Sequence, residues 1–187
     1  MDIKALAQKY EPYIIERRRY FHAHPELSFK EWETTKALVA EFEKMGMEIQ
    51  TFPDYPGLIA TLDTGKPGRT VMLRADIDAL PVKEGTGLDF ASQNEGVMHA
   101  CGHDNHMAML LGAAHILLEK KDELKGKVKF LLQSGEEMAC GAKYYVDHHI
   151  LDGVDAIFGQ HIWGTLDAPY VCVASGNRMA SCDNFTI

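Results

Sequence analysis

The spacing of apolar residues predicts two helices at the start of the chain. Apolar side chains recur at helical spacing through residues 2–22, where Pro12 would either kink the helix or divide it in two. A second apolar stripe runs through residues 32–45 and is followed by Gly46, a natural helix stop. Ser28 and Glu31 have the spacing of a capping box that would begin this second helix.

After Gly46 the apolar residues change to the spacing of strands. We predict strands over 48–52, 58–62, 70–75, 128–133, 155–160, 170–174 and 181–187, and further helices over 107–121 and 142–149. The helix over 107–121 and the strands over 128–133 and 155–160 are apolar on most sides, so we expect them to be buried. The alternation predicts an α/β fold with a mixed, largely parallel sheet sandwiched by helices. The last strand has no turn or cap after it, which we interpret as a chain that is cut there.

Composition and charge exclude several classes of protein. The chain has 187 residues, 46% hydrophobic and 25% charged, which is ordinary for a globular protein with one large domain. A net charge of −8 argues against a nucleic-acid partner. The longest apolar stretch, 107–118, is too short to span a bilayer, and the first residues lack the pattern of a signal peptide. We therefore predict a cytoplasmic protein without a membrane partner, in which the four cysteines form no disulfides.

Side chains that can bind metals follow the predicted central strands. In open α/β sheets, ligands bind beyond the carboxyl ends of the strands. The loops at this edge carry sulfur, nitrogen and oxygen donors from four separate segments of the chain. These donors are Asp76 and Asp78, Cys101 and His103, Glu136 and Glu137, and His161.

Each of these segments also has a simpler structural interpretation. Asp76 and Asp78 suit a turn, adjacent glutamates suit a solvated surface, and a lone histidine often only makes hydrogen bonds. The tripeptide Cys101–His103 is more specific, because thiolate and imidazole are good ligands for Zn²⁺ and the central glycine lets the backbone turn. The coincidence of four loops at one edge of one sheet favours a metal site.

The donor types predict hydrolytic chemistry. A metal held by Cys, His and Glu lowers the pKa of bound water and polarises a carbonyl oxygen. A carboxylate that is not a ligand can then move the water proton to the leaving amine, and adjacent glutamates can supply both roles. Asp78 could orient a ligand through a hydrogen bond without itself binding the metal. A structural zinc site is less favoured, because such sites usually close with four Cys or His ligands at tighter spacing.

Five longer motifs occur in order along the chain. They are RRRYFHAHPELSFKE (17–31), RADIDALPVKE (74–84), MHACGHDNHMAMLLGAA (98–114), GEE (135–137) and LDGVDAIFGQHIW (151–163). In these motifs the chain resembles the M20 metallopeptidase family, and within it the amidohydrolase branch of N-acyl-L-amino acid, hippurate and auxin-conjugate amidohydrolases. The resemblance implies a zinc-exopeptidase-like catalytic domain.

The resemblance also implies a site and an activity. It assigns Cys101, His103, Glu137 and His161 as ligands of two divalent ions, zinc or manganese, with cobalt or nickel as further candidates. It assigns Glu136 as the general base. The implied reaction is cleavage of the amide bond of a small-molecule N-acyl amino acid. Two alternatives stay open, a dipeptidase or carboxypeptidase of the same family and a metal-binding fragment without catalysis.

Two features depart from the family pattern. Met138–Gly141 stands where the family has a run of glycines, which places bulkier side chains beside the site. The family also continues into an inserted lid domain and returns with a further histidine ligand. We therefore predict a catalytic domain over 1–180 and the start of a lid or dimerisation domain over 181–187. We further expect a homo-oligomer when the lid is present and an inactive 187-residue chain.

Overall fold

Five strands form one open sheet in the computed structural model, which describes residues 2–177 and 179. The strands are β1 Glu48–Phe52, β2 Tyr55–Asp63, β3 Thr70–Asp76, β4 Lys127–Gln133 and β5 Ala156–Gly159. Their order across the sheet is β1-β2-β4-β3-β5. The pairs β3–β4 and β3–β5 are parallel, whereas β1–β2 and β2–β4 are antiparallel. The predicted mixed α/β sheet is therefore confirmed, with its parallel part confined to β4, β3 and β5.

Among the described residues, four α-helices cover the two faces of this sheet. They are α1 Ile3–Ala23, α2 Trp32–Lys44, α3 His103–Glu119 and α4 Gly141–Asp147, and short 3₁₀ turns occur at Lys121–Glu123 and Glu136–Met138. Helices α1 to α3 pack on one face and α4 packs on the other. In the part of the chain that the structure describes, no helix combines the length and the hydropathy needed to cross a membrane.

The two cores follow from the alternation of side chains along the strands. Phe130 and Leu132 of β4 belong to the larger core with Leu38 and Phe42 of α2, while Leu131 between them faces the α4 side. Successive side chains of a strand point to opposite faces, so an apolar run in a central strand serves both cores. The burial of β4 fixes the position of the loop that leaves its carboxyl end.

Two predictions about helices are corrected. Helix α1 continues through Pro12 as one element, so its division in two at Pro12 was wrong. The capping box was wrong, because α2 begins at Trp32 and Glu31 makes no side-chain cap. Ser28 and Glu31 instead bond to distant residues near the end of β4 and the loop after β3. Their polar groups form tertiary contacts, which a local pattern cannot distinguish from a cap.

Two predictions about late strands are also corrected. Strand β5 forms, but Ile157 and Phe158 are 48% and 61% exposed, because β5 pairs only with β3 in the described part of the chain. Residues 170–174 form no strand, and Val171 and Val173 are exposed. An alternating apolar pattern forms a strand only where a neighbouring strand accepts its hydrogen bonds. The strand over 181–187 lies outside the described residues, and the division into 1–180 and 181–187 stays a prediction.

Candidate metal centre

Three groups of side chains with metal-binding atoms meet at the edge where β3, β4 and β5 end. In each group the ligand atoms lie within 4.8 Å of one another, and His103 belongs to all three. The groups are Cys101 with His103 and His161, His103 with Glu136 and Glu137, and Asp76 with His103 and His106. The fold thus brings close to one another the five residues to which the family resemblance gives roles in the site.

His103 lies at the centre of these groups and is fully buried. Its Nδ1 lies 2.8 Å from the backbone oxygen of Asp78. A carbonyl oxygen only accepts, so Nδ1 carries a proton, and in the neutral ring Nε2 keeps the lone pair. This Nε2 is 3.7 Å from Glu136 Oε2 and 3.7 Å from Glu137 Oε1, and it has no hydrogen-bond partner among the described residues. A histidine fixed in this way by its other nitrogen is typical of metal ligands.

Helix α3 places His103 because it starts earlier than the sequence predicted. The helix begins at His103, four residues before the predicted start, because Gly102 precedes it in the left-handed region with φ +91°. A side chain at position 102 would also overlap Ile162. Glycine therefore permits both the turn into the helix and the close approach of the loop after β5.

Cys101 and His161 form the second side of the site. Cys101 Sγ is 3.4 Å from His161 Nε2, while His161 Nδ1 contacts the carbonyl oxygen of Ile162. Burial and the nearby charges of Glu137 and Glu136 raise the pKa of the Cys101 thiol to about 12. The ligand form of cysteine is the thiolate, which these carboxylates disfavour and a bound cation would favour.

A 3₁₀ turn after β4 presents the two glutamates. Gly135 enters it with φ +71°, and the backbone N–H of Glu137 donates to Asp78 Oδ2 at 3.0 Å. The side chain of Glu136 is 38% exposed and that of Glu137 is 19% exposed. Burial raises the pKa of Glu137, and its Oε1 has no hydrogen-bond partner in the described structure. The two carboxylates are thus equally near His103 but differ in their access to solvent.

His106 belongs to the third group but is engaged elsewhere. Its Nδ1 donates to Asp76 Oδ1 at 2.6 Å, and its Nε2 accepts from the backbone N–H of Ile162 at 3.0 Å. Arg74 donates to the other oxygen of Asp76 at 2.7 Å. Burial alone would raise the pKa of Asp76, but the hydrogen bond from His106 and the charge of Arg74 hold it well below its usual range. With both ring nitrogens used, His106 supports the loop that carries His161.

The supporting roles of Arg74 and His106 were missed by sequence reasoning. A signal exists for His106, since it follows His103 by three residues and so lies on the same side of α3. Arg74 precedes Asp76 by two residues in β3, so both side chains point to the same face of the sheet. The Asp78 role was partly foreseen, because its backbone oxygen orients His103.

The residues present fit a divalent cation. Two buried atoms at the site lack hydrogen-bond partners within the described chain, namely His103 Nε2 and Glu137 Oε1. Buried polar atoms are normally paired, so this cluster of unpaired acceptors is expected only where something else binds them. The donors are a thiolate sulfur, imidazole nitrogens and carboxylate oxygens, a set that suits zinc and related ions.

Comparison with known protein families matches residues 72–174 to Peptidase family M20/M25/M40. The chain belongs to this family. It is 41% identical over 187 residues to an N-acyl-L-amino acid amidohydrolase of Geobacillus stearothermophilus, covering 100% of the chain and 50% of that relative. It is also 41% identical over 188 residues to thermostable carboxypeptidase 1 of Saccharolobus solfataricus, covering 99% of the chain and 48% of that relative.

A solved structure of the same family has a matching fold. The Bacillus subtilis YXEP protein, described as a dinuclear metal binding peptidase from the M20 family, superposes with a TM-score of 0.80 at 44% identity. The match covers 89% of this chain and 45% of the other. The chain spans about half the length of the curated relatives it matches.

Proposed function

We propose that the protein to which this chain belongs hydrolyses the amide bond of small N-acyl amino acids with the help of divalent metal ions. The observation that carries the proposal is His103 Nε2, which is buried, unpaired in the described structure and equally distant from Glu136 and Glu137. The amidohydrolase relative supports the substrate class, because the similarity runs the whole length of this chain.

The proposed ligands are Cys101, His103, Glu137 and His161, which would hold two ions per complete chain. We expect zinc or manganese, with cobalt or nickel as further candidates. The buried, unpartnered oxygen of Glu137 supports its role as a ligand. The greater exposure of Glu136 supports its role as the general base, which must reach the attacking water and the leaving nitrogen.

The chain's own residues would carry the proton transfers and hold the groups in place. When bound, the ions would supply Lewis acidity toward the amide carbonyl and toward water. Glu136 would take a proton from the attacking water and deliver it to the leaving nitrogen. Asp78 keeps His103 Nδ1 protonated through its backbone oxygen, so that Nε2 remains available as a ligand. His106 holds the loop of His161 through the backbone of Ile162.

A carboxypeptidase is the second candidate, because the carboxypeptidase relative is as similar to this chain as the amidohydrolase. Turnover of N-acetyl and N-benzoyl amino acids should be compared with turnover of dipeptides and blocked peptides, with Zn²⁺ or Mn²⁺ added. The proposal predicts a higher kcat/KM for the acyl amino acids. Faster cleavage of peptides would favour the carboxypeptidase or dipeptidase. Metal binding with no turnover of any amide would favour the non-catalytic alternative.

Several sequence-based expectations remain predictions. They are the cytoplasmic location, the lack of nucleic-acid and membrane partners, the homo-oligomer formed with the lid domain, and the inactivity of residues 1–187 alone. A catalytic test therefore belongs on the complete protein, and metal binding can be measured on this chain.

A further inference from the structure

Glu31 is a fully buried carboxyl group that the proposed chemistry does not use. Its two oxygens accept from Ser134 Oγ at 2.8 and 2.7 Å, and one of them also accepts from the backbone N–H of Gly135 at 3.2 Å. No salt bridge reaches Glu31 within the described residues. Burial raises the pKa of Glu31 to about 7, against the lowering effect of the Ser134 hydrogen bond. A buried carboxyl group without a cation is costly, so its contacts should matter to the molecule.

Glu31, Phe29 and Ser28 support the glutamate turn, which is the 3₁₀ turn Glu136–Met138 with the residues 134 and 135 that lead into it. The ring of Phe29 lies where a side chain on Gly135 would have to go. Ser28 Oγ donates to Asp78 Oδ2 at 2.7 Å, and the same oxygen accepts from the backbone N–H of Glu137. Phe29 and Glu31 therefore contact the segment 134–137 directly, more than 100 residues away along the chain, and Ser28 reaches it through Asp78.

We propose that Glu31 is a positioning residue, which fixes Ser134 and Gly135 so that the carboxylates of Glu136 and Glu137 meet His103 Nε2. Glu31 directly precedes α2, whose Leu38 and Phe42 are buried in the larger core. The turn is thereby connected to a helix of the larger core. The inference rests on the proposed function for the roles of Glu136 and Glu137, and it adds the residue that sets their position.

The chemistry of the side chain explains why a carboxyl group stands there. Two acceptor oxygens can serve the Ser134 hydroxyl and the Gly135 N–H at the same time. A glutamine keeps one acceptor and turns the other into a donor, so Ser134 would have to rotate its hydroxyl to accept. An alanine leaves a buried hydroxyl and a buried N–H unpaired. We therefore expect Glu31→Ala to displace the turn more than Glu31→Gln.

The test measures binding of Co²⁺ to the full chain, which needs no substrate. Co²⁺ reports its ligands through two absorption features, a charge-transfer band from a bound thiolate and visible bands that depend on the coordination geometry. Replacing residues that support metal ligands typically costs about 10–100-fold in metal affinity. We expect Glu31→Ala to weaken Co²⁺ affinity in that range and to shift the visible bands, while the thiolate band of Cys101 persists. Glu31→Gln should lie between Glu31→Ala and the unaltered chain.

Glu41→Gln is the matched control. Glu41 is also a buried glutamate next to the core, but it bonds to Tyr13, Arg17 and Lys44, away from the metal centre. Its replacement should lower thermal stability and leave Co²⁺ affinity within about twofold and the visible bands in place.

Each result has a defined consequence. If both Glu31 variants lose stability but bind Co²⁺ within twofold of the unaltered chain, Glu31 is only structural and the proposal is overturned. If Glu31→Ala fails to fold, the isosteric Glu31→Gln decides by the same criteria, with a threefold weakening and shifted bands as support. Failure of the complete protein to hydrolyse any N-acyl amino acid would refute the proposed function and leave the Co²⁺ comparison valid. No Co²⁺ binding by either the unaltered chain or the complete protein would refute both.

Discussion

The glutamate turn and the loop after β5 both bring candidate ligands to His103, but the rest of the molecule supports them very differently. The turn follows β4, which has β2 on one side and β3 on the other. Backbone N–H groups of the turn donate to the carboxylates of Glu31 and Asp78, in hydrogen bonds that are buried or half-buried. The loop that carries His161 follows β5, which pairs with β3 alone in the described part of the chain.

This difference shows that the position of a ligand depends on how many neighbours the preceding strand has in the sheet. The backbone of a ligand that follows a central strand is held in place by the hydrogen bonds of that strand to its two neighbours. A ligand after a strand with one neighbour depends on the side chains that reach its loop. For His161 these contacts include Cys101 at 3.4 Å, the hydrogen bond of Ile162 to His106, and the packing of Ile162 over Gly102. The ring of His161 also contacts the rings of His103, His106 and Trp163. We expect perturbations on the two sides to differ accordingly.

The largest expected effect is on catalysis, and it distinguishes the role of Glu136 from that of Glu137. Glu136→Gln should lower kcat of the complete protein by about 10²–10⁴-fold, because it removes the group that transfers the proton. Metal content should be unchanged, since Glu137 remains. Steady-state kinetics together with elemental analysis would measure both. A fall in kcat of less than tenfold, or loss of metal, would reverse the assignment of base and ligand.

The candidate ligands could be predicted from sequence because they obey a simple topological rule. Glu136, Glu137 and His161 follow apolar strands, and parallel strands end at the same edge of a sheet, so their convergence needs no coordinates. The order of the strands is less accessible. Nothing in the local pattern shows that β2 inserts between β1 and β4, or that β5 pairs with β3 alone among the described strands.

Most of the residues that hold the ligands in position could not be predicted from the sequence. Glu31 and Ser28 matched a capping box, and the pattern is the same whether the side chains bond to their own helix or to a distant loop. The contact from Glu31 to Ser134 joins residues 103 apart in sequence. Such contacts depend on how α2 packs against the sheet, which is decided by the whole core.

The second prediction concerns the stability of the turn when Gly135, which leads into it, is replaced. Gly135→Ala should lower the free energy of unfolding by about 2–4 kcal/mol, combining a strained left-handed residue with overlap against the Phe29 ring. Urea unfolding would measure it. Gly65→Ala is the control, because Gly65 has a similar φ of +72° but open space around it, and should cost only about 1 kcal/mol. Equal losses in the two variants would show that Phe29 does not press on the turn.

The third prediction concerns the loop that carries His161, which His106 supports through a hydrogen bond to Ile162. His106→Ala should reduce Co²⁺ affinity by about 10–100-fold, because the Ile162 N–H and Asp76 both lose a partner. His115→Ala is the control, since His115 lies on the same helix but contacts Tyr10 and Tyr13. Competition with a coloured chelator would measure the affinities. An affinity within twofold of the unaltered chain would mean that the His161 loop is held without His106.

The smallest expected effect is the dependence of stability on the ionisation of Glu31, which contacts the turn. The pKa of Glu31 is raised to about 7 in the folded chain, from 4.5 as its reference. The folded state therefore binds this proton more tightly than the unfolded state. Glu31 should lower stability progressively as pH rises from about 4.5 to 7, and the penalty should be fully present above that range.

Glu31→Gln removes this titration and gives the measurement. The free energy of unfolding of the variant minus that of the unaltered chain should rise by on the order of 1–3 kcal/mol between pH 4.5 and 7. Groups common to both chains cancel in this difference. For Glu41, burial raises the pKa, but the hydrogen bonds from Lys44 and Tyr13 outweigh it and lower the pKa below 4.5. Glu41 therefore adds stability above about pH 4.5 that is lost as pH falls, so Glu41→Gln should show its change only below that pH. A flat difference for Glu31→Gln across the range would mean that the Ser134 and Gly135 hydrogen bonds offset the burial of the charge, and that the turn rests on an ionised carboxylate throughout.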